Sequence, residues 1–151
     1  MTKYKKAFVV LYSMKEGYRN FLIKLAILII DQATKSMAAA GKLALDTKLL
    51  SFNIVHNTGA GFGLLQGFNA ILIWVSVIVI GLITFFYYSV EKKEQIGLIL
   101  LAGGVFSNLI DRIVLGYVVD WIDLGWWPVF NVADSMIVVG VAWMIIAGIK
   151  K

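Results

Sequence analysis

The sequence predicts an all-α membrane bundle of four transmembrane helices, with a small extracytoplasmic β element between spans one and two. Hydrophobic residues make up 60% of the 151 positions and charged residues only 15%, whereas a soluble domain is about half apolar and about a quarter charged. A chain this short cannot bury the excess in its own core, so lipid is the natural surrounding of its apolar surface. We expect a single integral membrane domain over residues 1–151.

Long apolar runs define the predicted spans, because a helix needs about 20 apolar residues to cross a bilayer. The predicted spans are 21–40, 69–90, 95–115 and 130–149. The second contains no charged residue, whereas the first is the weakest because it contains Lys24, Asp31 and Lys35. The first is kept because the Lys24 side chain can extend to the near interface.

The distribution of basic residues predicts the orientation. Half of the 14 Lys and Arg residues precede Ser36, and most of the others lie between spans two and three or at the C-terminus. The loop 41–68 contains only Lys42 and Lys48, and the loop 116–129 contains none. Because cytoplasmic loops are enriched in Lys and Arg, we expect both termini in the cytoplasm. We also expect the N-terminus to be retained, since its first apolar patch is short and followed by charges.

Composition excludes several kinds of site and partner. The chain has no cysteine, which excludes disulfides, thiol nucleophiles and thiolate metal ligands. His56 is the single histidine, which argues against a zinc site. The basic residues lie at the ends of apolar runs rather than on one soluble face, so we expect no nucleic-acid partner.

Polar side chains of spans and loops converge on the outer side of the predicted bundle. An ionisable residue at membrane depth indicates function by default, because its desolvation is costly unless it faces a polar interior. The predicted topology therefore places a functional site at this outer edge. Its candidates are Asp31, Lys35, Asn57, Asn108, Asp111, Arg112, Asp120, Asp123, Asn131 and Asp134.

Asp120 and Asp134 lie on opposite limbs of the short segment that re-enters the membrane before span four, so their side chains can approach. Two carboxylates held close share a proton, because both cannot ionise cheaply. One can then act as general base on water and the other as general acid. Asn131 and Asp134 share a face of span four, and Asn131 can cap that helix.

Other polar residues have structural interpretations beside the functional ones. Asn108, Asp111 and Arg112 share a face of span three by their spacing. Asp111 is predicted to be structural, whereas Arg112 either holds a loop or contacts substrate. Asp123 is predicted to be a solvated loop charge. His56 is predicted to be a polar loop or strand residue, with a general-base role as the lesser alternative.

Further patterns concern the loops and helix packing. Residues 49–56 alternate in part and predict one or two strands, and the glycine-containing stretch 56–63 predicts a turn or close-packed loop. Gly103–Gly104 predicts close helix packing. The tryptophans of the second outer loop are predicted to be interface anchors rather than a substrate platform. They are Trp121, Trp126 and Trp127.

Four segments match, in order and placement, the motifs of one family. They are Asp31–Lys35, Asn57–Gly63, Gly103–Asp120 and Phe130–Ser135. Through them the chain resembles the lipoprotein signal peptidases (signal peptidase II) over nearly its whole length from span one to span four. Gly61 stands where that family usually has alanine, and the extension before Phe21 matches no motif.

The resemblance implies a multi-pass aspartic endopeptidase of the bacterial inner membrane, with its active site near the outer face. Such enzymes remove signal peptides from prolipoproteins, cutting before a cysteine that carries diacylglycerol. The resemblance implies Asp120 and Asp134 as the catalytic pair, and no metal or cofactor. The groups that it implies for substrate binding or support are Asn57, Asn108, Arg112, Asn131, Asp31 and Lys35.

Two other classes of function stay open on residue patterns alone. A small ion- or proton-coupled transporter subunit would also place carboxylates in its spans, but near the midplane and often with repeats. A scaffold protein would not need two acids beside asparagines at one depth. We expect membrane lipid as a partner and a monomer, because one chain contains every part the chemistry needs.

Overall fold

The computed structural model describes residues 3–43, 45–47, 49–60 and 65–149, and their side chains from Met14 onward. Lys48, the stretch 61–64 with Gly61, and the C-terminal Lys150 and Lys151 lie outside the described residues. The described chain forms four helices and two strands. In chain order these are α1 Lys3–Ala39, β1 Ser51–Asn57, α2 Asn69–Phe86, α3 Lys92–Val114, β2 Val118–Asp123 and α4 Val132–Ile149.

Among the described residues, three helices are long and apolar enough to cross a membrane. They are α2, α3 and α4, with mean hydropathies of 2.4, 1.6 and 2.1 over their most apolar windows. The mostly helical fold is therefore as predicted. Helix α1 is not among these candidates, because acidic and basic residues interrupt its apolar stretches. It begins at Lys3 rather than near Phe21 and has 37 residues, which corresponds to a length of about 55 Å.

Helix α3 is the centre of the bundle and packs against each of the other helices. Glycines allow two of these approaches. A Cβ atom on Gly103 would lie 2.8 Å from Ile27 Cδ1 of α1, and one on Gly104 would collide with the Ala133 carbonyl oxygen of α4. The predicted packing role of Gly103–Gly104 is confirmed, since no larger residue leaves room for these neighbours.

The β element differs from the prediction, because its two strands come from different loops. Strand β1 lies between α1 and α2 as predicted, but it pairs antiparallel with β2, which lies between α3 and α4. The register places Val55 opposite Asp120 and Asn57 opposite Val118. A lone strand would leave its backbone groups without partners, and the β-branched run that opens β2 supplies them. The sheet therefore joins the two loops over the ends of the helices.

The tryptophans of the second loop divide into two kinds. Trp121, on β2, is only 8% exposed, and its ring meets Phe52 edge to face at 5.0 Å. The interface-anchor prediction is therefore wrong for Trp121, because pairing with β1 covers this part of β2. Trp126 and Trp127 are exposed at 77% and 44%, as an interfacial position requires.

Candidate active site

The N-terminus of α4 places the first predicted acid. Asn131 precedes the helix, and its Oδ1 accepts the Asp134 backbone N–H at 2.8 Å. The Asp134 Oδ2 in turn accepts the Asn131 backbone N–H at 3.2 Å. This reciprocal arrangement is a capping box, with aspartate in place of the usual glutamate. The predicted capping role of Asn131 is confirmed, and it fixes the Asp134 carboxyl at the helix end.

Strand β2 places the second acid. The Asp120 side chain is 2% exposed, and both of its oxygens accept hydrogen bonds from amides. Asn131 Nδ2 donates to Asp120 Oδ1 at 2.7 Å, and Asn57 Nδ2 donates to Oδ2 at 2.8 Å. The antiparallel pairing of β1 with β2 brings Asn57 within reach of Asp120 across 63 residues of sequence.

One asparagine thus connects the two carboxyl groups. Asn131 is fully buried. Its Nδ2 donates to the Asp120 carboxyl and its backbone N–H donates to the Asp134 carboxyl, while its Oδ1 accepts from the Asp134 backbone. Asn108 Nδ2 donates to Asp134 Oδ1 at 2.8 Å. Both acids line a cavity of about 350 Å³, together with Asn57, Asn108 and Arg112. That volume lies within the usual range for ligand pockets.

The environment of Asp120 favours its protonated form. Burial, followed by the charge of nearby Asp134, raises the pKa of Asp120 to about 6, against the opposing effects of the Asn57 and Asn131 hydrogen bonds and the Lys35 charge. The Asp120 carboxyl can therefore hold a proton close to neutral pH. Strongly perturbed acids in a cavity are typical of functional sites.

Beneath the pair lies a buried ion cluster centred on Lys35. Lys35 Nζ lies 2.7 Å from Asp31 Oδ2 and 2.7 Å from Asp111 Oδ2, and it donates to Asn108 Oδ1 at 2.8 Å. Three acceptors match the three ammonium protons. Asn131 Nδ2 also donates to the Asn108 Oδ1, at 3.2 Å. Because two donors occupy the carbonyl oxygen of Asn108, its amide points to Asp134.

Asp31 connects three helices through the same cluster. Its Oδ1 accepts the Ala133 backbone N–H of α4 at 2.8 Å, and its Oδ2 accepts the Ser107 hydroxyl of α3 at 2.7 Å. Gln32 Nε2 donates to Asp111 Oδ1 at 2.7 Å. Gln32 and Ser107 were not predicted as site residues. The signal for Ser107 is its i, i+4 spacing to Asp111 on one face of α3.

Of the remaining candidate site residues, Arg112 and His56 line the cavity and Asp123 does not. Arg112 donates through Nη2 to the Gly59 carbonyl at 3.1 Å, while its buried Nε has no partner within the described chain. His56 lines the cavity and stacks on Tyr117 with ring centroids 4.2 Å apart. Asp123 lies at the far end of β2, where hydrogen bonds from the Asn53 side chain and then the Gly125 backbone lower its pKa.

No group of three His, Cys, Asp or Glu side chains that could hold a metal ion occurs in the part of the chain that the structure describes. Two acids, two asparagines and an arginine line the cavity of the site, and the buried Asn131 lies behind them. Fold and site together define a helical membrane protein with two carboxyl groups in one cavity at an end of its bundle.

Comparison with known proteins identifies the family. The family model for signal peptidase (SPase) II matches residues 23–150. Lipoprotein signal peptidase from Halothermothrix orenii is 35% identical over 133 residues, covering 83% of this chain and 92% of its own. The Moorella thermoacetica protein of the same name is 39% identical over 128 residues, covering 80% and 85%. The chain belongs to the signal peptidase II family, as the motifs predicted.

A solved structure shares the fold as well. A bacterial membrane enzyme determined by the in meso method superimposes with a TM-score of 0.81 at 30% identity, covering 87% of this chain and 88% of its own. A second structure of a bacterial membrane enzyme gives 0.78 at 30% identity. Membership of a peptidase family favours the enzyme over the transporter and scaffold alternatives.

Proposed function

We propose that this chain is a lipoprotein signal peptidase that removes signal peptides from prolipoproteins, cutting before a diacylglyceryl-modified cysteine with Asp120 and Asp134. The family and the names of the relatives support the peptidase activity and the substrate class. One observation supports the aspartic mechanism above all: Asn131 donates through Nδ2 to Asp120 and through its backbone N–H to the Asp134 carboxyl, behind the cavity that both acids line.

In the proposed mechanism the two acids take different parts. Asp120, with a pKa raised to about 6, holds the shared proton and donates it to the departing amine. The Asp134 carboxylate takes a proton from water, which attacks the scissile carbonyl carbon. The Asn108 amide and the Asn131 backbone N–H hold the Asp134 carboxyl in place for this step. Arg112, with a buried and unpartnered Nε, is the proposed donor to the substrate backbone, beside Asn57.

The cavity suits a substrate that arrives through lipid. Its wall includes Ile137 and Val138 of α4, and Val138 is 65% exposed on the helix surface that we assign to lipid. A diacylglyceryl chain could follow this apolar wall while the peptide reaches the acids. Apolar walls with few convergent polar groups are usual for such sites.

The ion cluster of Lys35, Asp31 and Asp111 is the proposed support of the pair. Without Lys35 the Asn108 oxygen would keep only the 3.2 Å bond from Asn131. The Asn108 amide could then rotate by half a turn and direct its oxygen at Asp134, which would replace a donor with an acceptor. Asp31 holds the first turn of α4 through the Ala133 N–H. These three residues therefore act on the reaction through Asn108 and the α4 N-terminus.

We also propose that α1 crosses the membrane as the fourth span, within a single domain of residues 1–151. Both termini would then lie in the cytoplasm and the site near the outer face of the bacterial inner membrane. The basic residues support this orientation. The two acids, their asparagines and Arg112 all come from one chain, which supports a monomer surrounded by membrane lipid.

The decisive experiment is cleavage of a diacylglyceryl-modified prolipoprotein by the purified protein in lipid. We expect Asp120→Asn and Asp134→Asn to lose cleavage, and Asp123→Asn, a matched control on the exposed end of β2, to keep it. Cleavage by both site variants at the wild-type rate would refute the aspartic mechanism. Equal cleavage of the unlipidated precursor would refute the substrate assignment, and proton flux in liposomes without proteolysis would favour a transporter.

A further inference from the structure

A second cavity lies at the end of the bundle opposite to the paired acids. It has a volume of about 460 Å³ and separates α1 from α2 above the surface of α3. Its walls are mostly apolar and include Leu28, Ile80, Leu98 and Phe106. Neither Asp120 nor Asp134, nor any asparagine of the active site, contributes to it. The cavity is therefore separate from the proposed catalytic site.

One end of this cavity is polar, and a buried side-chain atom there lacks a hydrogen-bond partner. Asn20, which is 9% exposed, donates through Nδ2 to the Tyr87 hydroxyl at 2.6 Å. Its Oδ1 is buried without a hydrogen-bond partner, although an unsatisfied buried acceptor is costly. If the Asn20 side-chain amide is rotated by half a turn, the buried atom without a partner is the donor Nδ2 instead of the acceptor Oδ1. A ligand hydroxyl, which both donates and accepts, satisfies Asn20 in either orientation.

A cation stands beside the same end. Lys24 lies one helical turn from Asn20 on α1 and also lines the cavity. None of the ion pairs found among the described side chains includes Lys24. The polar end therefore offers a positive charge and an amide to a ligand that is both anionic and hydroxylated.

The dimensions match one hydrocarbon chain. Along α1 the cavity extends from Gly17 to Leu28, and the eight residues from the polar Asn20 to Leu28 correspond to about 12 Å. This is close to the depth of one leaflet of the hydrocarbon core, which is about 30 Å thick in total. An acyl chain entering at Asn20 would therefore end near Leu28 and Ile80.

We propose that this cavity binds a glycerophospholipid with an anionic, hydroxyl-bearing headgroup, from the leaflet opposite the active site. One acyl chain fills the space between α1 and α2, the phosphate pairs with Lys24, and the headgroup hydroxyl bonds with the Asn20 amide. Such a lipid completes the contact between α1 and α2, which pack mainly on α3.

Native mass spectrometry of the full chain in detergent, with added lipids, tests the proposal. The probes are phosphatidylglycerol, phosphatidylcholine, whose headgroup has no hydroxyl, and diacylglycerol, which has no phosphate. We expect phosphatidylglycerol to be retained best, and an excess of glycerol 3-phosphate not to displace it. Equal retention of the three lipids, or displacement by the soluble phosphate, would overturn the proposal.

Variants separate the contribution of the lipid headgroup to binding from that of the acyl chain. Asn20→Leu should weaken the binding of phosphatidylglycerol by about fivefold relative to the binding of phosphatidylcholine, as expected for the loss of one hydrogen bond. Lys24→Met should weaken the binding of both lipids. Ala102→Phe fills the cavity and should abolish retention of every lipid. Its matched control is Ala142→Phe, because Ala142 is exposed on α4 outside the cavity.

A second blocking variant keeps the test independent of folding defects. Thr84→Phe enters the cavity from the exposed side of α2, and it should likewise abolish lipid retention. The melting temperature of wild type should rise with added phosphatidylglycerol, because a ligand of the native state stabilises it. Undiminished lipid retention and the same lipid-dependent shift in folded Ala102→Phe or Thr84→Phe protein would refute this site.

Discussion

Replacing Lys35 with methionine tests the support of the active site most directly. The change removes the cation that pairs Asp31 and Asp111, and the three side chains are almost completely buried. Methionine fills a similar volume but leaves two buried carboxylates without a counter-charge. We expect the free energy of unfolding to fall by about 3–5 kcal/mol, the usual cost of breaking a buried ion pair on one side.

The assay is reversible unfolding in mixed micelles of increasing dodecyl sulfate content, followed by helical circular dichroism. The matched control is Lys92→Met, because Lys92 pairs with Glu16 at 2.9 Å but is 65% exposed. Such a surface pair contributes about 0–1 kcal/mol. Equal losses for Lys35→Met and Lys92→Met would refute the assignment of a buried cluster.

Cleavage activity and stability should respond differently when all three charges of the cluster are removed together. Adding Asp31→Asn and Asp111→Asn to Lys35→Met removes the uncompensated charges, so stability should recover in part. Cleavage should not recover, because no ammonium group then orients Asn108. A triple variant that regains full cleavage would show that Lys35 does not position Asn108.

Three further predictions concern the pair and the helix packing. The raised pKa of Asp120 means that folding is favoured while its carboxyl group is protonated, so this contribution to stability is full below pH 3.8 and is lost as the pH rises through about 6. Asparagine has no titratable group, so the stability of Asp120→Asn relative to wild type should rise by about 2–3 kcal/mol between pH 3.5 and pH 8 in the same unfolding assay. Asn57→Ala removes a hydrogen bond that lowers the pKa of Asp120. The limb of the pH–rate profile that reports Asp120 should therefore move to higher pH, whereas the control Asn53→Ala should leave the profile unchanged. Gly104→Ala should destabilise the protein by about 1–3 kcal/mol through overpacking against α4. The control Gly81→Ala should not, because a Cβ atom at Gly81 meets nothing within 4 Å. Equal melting temperatures of the two variants would contradict the packing argument.

Local rules account for the features that the sequence predicted. Apolar length located α2, α3 and α4, and the spacing of Asn131 and Asp134 located the cap of α4. The adjacent glycines Gly103 and Gly104 marked close helix contacts. Each of these features depends on residues within one helix, where the period of 3.6 residues decides which side chains share a face.

Features that depend on distant partners could not be predicted in the same way. Strand β2 has its hydrogen-bond partner in β1, more than 60 residues earlier in the chain. Gln32 belongs to the site only because the packing of α1 on α3 brings it within hydrogen-bond distance of Asp111. Trp121 is buried because β1 covers it. Topology places these contacts, and neither propensity nor spacing within one segment predicts them.

Helix α1 illustrates why hydropathy alone understates a span that contributes to a site. Asp31 and Lys35 lower its mean hydropathy, but both side chains are buried against α3 and α4 rather than exposed to the surroundings. Directly before Asp31 lie Ile29 and Ile30, which are 57% and 53% exposed on the outer surface. A helix that directs its charges inward and its isoleucines outward presents lipid with an apolar face. The cluster that supports the paired acids is therefore also what allows α1 to be the fourth span that we propose.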